Sequence, residues 1–513
     1  MKGVQMLWVA LGWSTLLGQA YAGPLLCGTP ALLEQTLASQ PMPYPAPPPS
    51  PVKESREAHG ACAGSEASEN FVLKWGSEAP PTATEVDQIL AALERSWDTE
   101  LNIMDHAHPW GSDTHLFNVY FGDSGDCAPS AFGMGGYYTT DAEGWPMIVL
   151  SNGAFDSADY GQTTVAHEFY HAVQHAEGAY QGNDQAQWWW ESTAMWVESV
   201  VYPATTDYFV FLHGYAFEPH RQLNSYKYPE EGVLAEYHQY GAGIWPRYLT
   251  EFESDWRLIR DSWSMAGPDD DPLEVVRELL DSDLDEVFAD FAAHNAVWDY
   301  QHGDQMEDWL DYMRDASGFG DQDRRIADTV SSSGTGDEWQ TPPQETLPER
   351  YGYNVIRMSG PKSGTMVVRF EGDATGSAGS GAEWIIRVVR EKERSIDYEE
   401  LVVVDGGGQL TLRDVGAEYG IYLVVSVTSP AWRSNEVFGY RYQMDMGSTS
   451  GGSGGSTTSP PTAWDSAFQG DDEEKQGCAC SVSSPQNVGV WLMVPLWALL
   501  GRRGHRRRRS NPQ

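Results

Sequence analysis

The stretch "TTVAHEFYHAVQHAEG", Thr163 to Gly178, decides how the rest of the chain is read. It holds three of the protein's 13 histidines, His167, His171 and His175, at intervals of four. Residues four apart are neighbours across one helical turn, so this spacing stacks the three imidazoles along one face of a helix. His167, Glu168 and His171 make the pattern H-E-x-x-H, for which random order of this composition gives on the order of 0.02 matches. Two histidines four apart aim ring nitrogens at one Zn2+, and the Glu beside the first reaches a water on that metal. The helix is predicted to continue to Gly178, a natural C-terminal stop. His175, two turns beyond His167, reads as a structural histidine.

A catalytic zinc needs a third protein ligand and an open position. One route would place it just downstream, but the positions where a glycine turn and a third histidine would fall hold Gln174 and Glu177. The other route uses a second helix, and "WWWESTAMWVE" supplies Glu191 among Trp188, Trp189, Trp190, Ala194, Met195 and Trp196. A carboxylate in such apolar company is costly to bury unless it is paired or metal-bound, which favours Glu191. Glu198, two turns later on the same face, is the second choice, as a ligand or as an acceptor behind a ligand histidine.

"HEFYH" followed by "WWWESTAMWVE" is similar to the gluzincin zinc metalloproteases, in which two motif histidines and a downstream Glu bind the metal. With "YGAGIWPRYL", the run resembles a set of exported bacterial metalloproteases over residues 71–300. Where thermolysin-like members carry an Asp four residues after the ligand Glu, this chain has Met195. The resemblance implies peptide hydrolysis with Zn2+ held by His167, His171 and Glu191, and with Glu168 as general base. For a donor to the developing oxyanion, "EYHQYGAG" offers Tyr237, His238 and Tyr240, of which Tyr240 is preferred. An extended substrate is expected along a sheet edge, for which "PMIVLSNGAF" is the candidate strand. The acidic "GPDDDP" at Gly267 lacks EF-hand spacing and reads as a solvated loop.

The formal net charge of -42, from 74 Asp and Glu against 32 Lys and Arg, repels phosphate backbones and argues against nucleic-acid partners. Residues 1–22 combine a basic start, an apolar core and "AYA", the form of a secretory signal. "GCACSV" at Gly477, the apolar run Val488 to Leu500 and "RRGHRRRR" together resemble the three-part C-terminal sorting tag of myxobacterial surface proteins. That tag implies an exported, surface-anchored protein, a processing protease that cuts the tail, and membrane contact through the tail alone. Of the cysteines before the histidine helix, Cys27, Cys62 and Cys127, two can form one disulfide and one is left over.

The expected layout is a signal peptide at 1–22, a Pro-rich segment at 23–70, and a zincin-like unit at 71–314. A linker at 315–346, a β-sandwich at 347–446, a flexible stalk at 447–476 and the sorting tag at 477–513 follow. The fold class is thus an α+β zincin-like unit with a helical second lobe, followed by an all-β sandwich. The expected activity is zinc-dependent endopeptidase action on protein or peptide substrates. A surface adhesin that keeps the fold without the activity is the alternative.

Overall fold

Short β-branched and aromatic runs ahead of the histidine helix build one five-stranded sheet. The computed structural model describes residues 27, 29, 53–56 and 59–446, apart from 228–233, 317, 361–362, 394, 417 and 434. The signal, the Pro-rich spacer, the stalk and the sorting tail fall outside the described residues. The strands are β1 (Gly64–Ala67), β2 (Phe71–Trp75), β3 (Phe117–Phe121), β4 (Gly136–Thr140) and β5 (Pro146–Leu150), in spatial order β1-β2-β3-β5-β4. β2, β3 and β5 run parallel, and β1 and β4 close the two edges antiparallel. Ordered contacts thus begin before Phe71: β1 precedes it, and Glu54 bridges His115.

"PMIVL", the candidate edge, is instead the interior strand β5, buried at all five positions and paired on both sides. An unbroken apolar run is what a strand covered on both faces needs, and the edge role falls to β4, "GYYTT". The helix Ala83–Trp97 begins in a reciprocal cap: Thr82 Oγ1 accepts from Glu85 N–H at 3.2 Å, and Glu85 accepts from Thr82 N–H at 2.7 Å. It buries Val86, Ile89, Leu93 and Trp97 in the core shared by the sheet and the histidine helix, Ala158–Glu177. That helix ends where Gly178 turns left-handed at φ 75°, as its glycine allows.

The helical region then runs through the glutamate helix Gln187–Val201 and the tyrosine helix Leu234–Gly241 to the helix Leu284–Asn295. Trp188, Trp189 and Trp190 are all buried, because the glutamate helix is packed on every side rather than along one stripe.

Beyond it, two sheets face each other: β6 (Asp328–Val330), β7 (Gly352–Met358), β9 (Glu383–Lys392), β10 (Ile396–Leu401) and β13 (Glu418–Thr428) form one. β8 (Gly364–Gly372), β11 (Val403–Val404), β12 (Gly407–Val415) and β14 (Tyr440–Met446) form the other. Ile356, Val368, Phe370, Ile386 and Val425 fill the space between them. The span read as a linker thus contributes β6, which pairs parallel with β7. The first sheet turns its other face, with Tyr353, Val355, Val389 and Val424, onto the helices and joins their core. Arg387 fixes that junction, reaching Asp290 at 2.6 Å and Glu286 at 2.5 Å on the helix Leu284–Asn295. Among the described residues no helix is long and apolar enough to cross a membrane.

Among the described residues, Glu100 is one of several buried polar groups with no hydrogen-bond partner. Both carboxyl oxygens of Glu100, in the wide helical turn Asp98–Ile103, are buried without a hydrogen-bond partner. Burial lifts its pKa well above the ordinary 4.5, against the pull of His167. A raised carboxyl pKa contributes stability in full below the unfolded value and loses it as pH rises toward the folded one. Glu100→Gln removes that loss, so its melting temperature measured with chelator present should gain on the parent more at pH 8 than at pH 4. An equal gain at both would refute this account.

Candidate metal centre

The histidine helix puts His167, Glu168 and His171 on its inner face, all buried, and the glutamate helix packed against it brings Glu191 opposite. His167 Nε2 lies 3.2 Å from Glu191 Oε2, and His171 Nε2 lies 3.6 Å from Glu191 Oε1. The two imidazoles meet nearly at right angles, 83°, with centroids 4.8 Å apart. Bonds of about 2.0–2.3 Å in a tetrahedron separate ligand atoms by roughly 3.3–3.8 Å, so these spacings suit one ion of zinc's size.

Each ring is held by its outer nitrogen. His167 Nδ1 is 3.0 Å from Glu198 Oε1, and His171 Nδ1 is 2.7 Å from Gln174 Oε1. The Gln174 amide nitrogen donates to the Trp190 carbonyl and to Thr193 Oγ1, both at 2.9 Å, which turns its oxygen toward His171. An oxygen there accepts, so His171 Nδ1 carries the proton and Nε2 presents its lone pair to the cluster. Glu198 therefore stands behind His167, on the nitrogen that faces away from Glu191. Met195, at the departure from the thermolysin pattern, packs with Tyr240 and Phe211 instead of accepting a proton.

The charges agree with a cation site. Burial opposes charge on His167, yet hydrogen bonds to Glu191 and Glu198 carry its pKa up to about 10. Burial also opposes ionisation of Glu191, but His171 and His167 hold it down at about 2. Burial lifts Glu198 to about 7 against the pull of His167. A dication would take over the positive charge that a proton on His167 otherwise supplies.

Of the three oxyanion candidates, Tyr240 lines the cleft over the cluster. Its approach depends on Gly243, where a Cβ would stand 2.9 Å from Met195 Cβ. His238 lies against Tyr215, and burial drives its pKa down to about 3. Tyr237 stacks near Phe211. His175 is also neutral, lowered by burial to about 4 and bonded to the Tyr138 hydroxyl at 2.6 Å. Glu177 is occupied elsewhere, by His106 Nδ1 at 2.7 Å and Ala107 N–H at 3.0 Å. In the acidic loop, Asp270 accepts from Gly267 N–H at 2.7 Å and Asp271 caps the following helix.

The structure adds a fourth donor that the motif does not contain. Cys27 Sγ stands 3.5 Å from His171 Nε2, and the donor atoms of Cys27, His167, His171 and Glu191 all lie within 4.8 Å of one another. Cys62 and Cys127 form the disulfide, so the leftover cysteine is Cys27. Odd cysteine arithmetic was the signal for a free thiol; nothing in its neighbours "LLCGT" gave its address. Gln174 was findable, three residues from His171 and hence beside it on the helix.

A family model described as "Family of unknown function (DUF6055)" matches residues 48–446, most of the chain, and the protein belongs to that family. No curated protein matches. Among solved structures, a family GH115 4-O-methyl-alpha-glucuronidase with specificity for decorated arabinogalactans has 9% identity over 59% of this chain, with a TM-score of 0.15. The match spans 46% of that enzyme's own length, and a likeness this slight carries no argument.

Gln174→Ala would leave the His171 ring free to turn and to change tautomer. Zinc affinity, measured by competition with a chromophoric chelator, should fall roughly 10- to 100-fold with helix content unchanged. Unaltered affinity would mean that Gln174 does not orient the ligand.

Proposed function

We propose that the protein is an exported zinc-dependent peptidase of gluzincin type. One observation carries the reading: two oriented imidazoles and Glu191 converge on a single point, while Glu168, beside them in the same cleft, stays outside the ligand set. His167, His171 and Glu191 would hold the ion. Bound there, zinc supplies a Lewis acid that polarises a carbonyl and lowers the pKa of a water. Glu168 accepts the proton of the attacking water and delivers it to the leaving amine. Burial raises its pKa above the ordinary carboxylate value, against the pull of His167 and His171. The Tyr240 hydroxyl donates to the oxyanion.

The edge strand β4 beside the cleft is suited to pairing with an extended protein or peptide substrate. A mixed sheet above a histidine helix, followed by a helical lobe, supports a zincin-like fold. The Cys62–Cys127 disulfide supports an oxidising compartment, as expected for a cell-surface or extracellular protein. Closure of the donor set by Cys27 favours a second reading, a surface binding protein whose ion is structural, since structural zinc sites are closed.

The purified protein should contain one zinc per chain by mass spectrometry, and Glu191→Ala should lose it. Glu168→Gln should retain zinc while casein cleavage falls roughly 100- to 10,000-fold relative to the parent. Absence of zinc from the parent would end this reading.

A further inference from the structure

Cys27 and Thr29 together touch every part of the site that a substrate would need. Its thiol is the fourth donor of the cluster. The same sulfur lies 3.5 Å from Glu168 Oε2, which also accepts from the Thr29 hydroxyl at 3.1 Å. The Tyr240 hydroxyl donates to the Cys27 carbonyl at 3.3 Å, the kind of oxygen it would polarise in a substrate. On the edge strand, Cys27 bridges Gly136 in parallel sense, and Tyr138 N–H donates to Thr29 Oγ1 at 2.8 Å. Metal position, base, oxyanion donor and edge are all met by Cys27 and Thr29.

We infer that Cys27 and Thr29 form a built-in latch that holds the enzyme latent, with the Cys27 thiolate filling the position that water or a carbonyl must take. This regulation rests on the peptidase reading above. A tetrahedral ion with three protein ligands keeps one place for chemistry, and a thiolate is a strong claimant for it. Thr29 adds a second block by engaging Glu168, so the base cannot reach a water even if the sulfur swings aside. The fourth donor comes from a different part of the chain than the other three. His167, His171 and Glu191 come from two packed helices, whereas Cys27 arrives from far upstream, outside the disulfide that joins Cys62 to Cys127. The rest of the chain keeps its covalent staple when Cys27 leaves.

The test uses the full-length protein loaded with Co2+ in place of zinc, then with Zn2+. The parent should show the near-ultraviolet thiolate-to-cobalt charge-transfer band. Cys27→Ala should lose that band while keeping the visible cobalt bands from the remaining ligands. Its zinc form should cleave casein faster than the parent by roughly tenfold or more, as expected when the parent site is open less than about one-tenth of the time. Cys27→Ser, which keeps the volume with a weaker donor, serves if the alanine variant does not fold. Cobalt bound without the charge-transfer band overturns the latch and leaves the metal site standing. A band that disappears in both variants with no gain in cleavage also overturns it, in favour of a closed structural site. If neither Co2+ nor Zn2+ binds the parent, the peptidase reading fails first and the latch with it.

Discussion

Everything at the centre of this protein depends on which nitrogen of two buried imidazoles faces inward. A histidine ring turned over or in the other tautomer would offer the cluster a proton in place of a lone pair. Glu198 and Gln174 make that choice from behind, one by a charge and the other by an amide whose orientation is fixed on the neighbouring helix. The tryptophan-rich helix therefore serves twice, giving Glu191 to the cluster and the Trp190 carbonyl and Thr193 hydroxyl that hold Gln174 in place. Its all-round burial follows from that double duty, because a frayed helix could hold neither.

Much of this was legible in the residues. Histidines at a spacing of four and a carboxylate set among tryptophans are local signals, and each led to a position that the structure brings to one point. Strands such as "FVLKW" and the sandwich runs announced themselves by β-branched density. Three matters were not local. Whether "PMIVL" lies inside a sheet or at its margin depends on partners distant in sequence, and so does the use of Asp328–Val330 as a strand. The address of Cys27 is of the same kind: a contact across 144 residues leaves no pattern in a window of ten.

Met195 shows how a missing residue can mislead. In the thermolysin arrangement an acceptor sits one turn after the ligand Glu, and its replacement here by a thioether suggests a weakened site. The acceptor is present one turn further on, as Glu198, while Met195 packs against Tyr240 and Phe211 beneath the cleft. What each ring has is an oxygen acceptor on Nδ1, a carboxylate for His167 and an amide for His171, and a helix offers more than one residue number that supplies it.

The junction at Arg387 has a consequence for inheritance. Because Tyr353, Val355, Val389 and Val424 complete the core of the helical lobe, the sandwich cannot be exchanged like an accessory module without stripping apolar surface from the helices beneath. The family match covers both, from 48 to 446, as a shared core would require of any relative that keeps this fold.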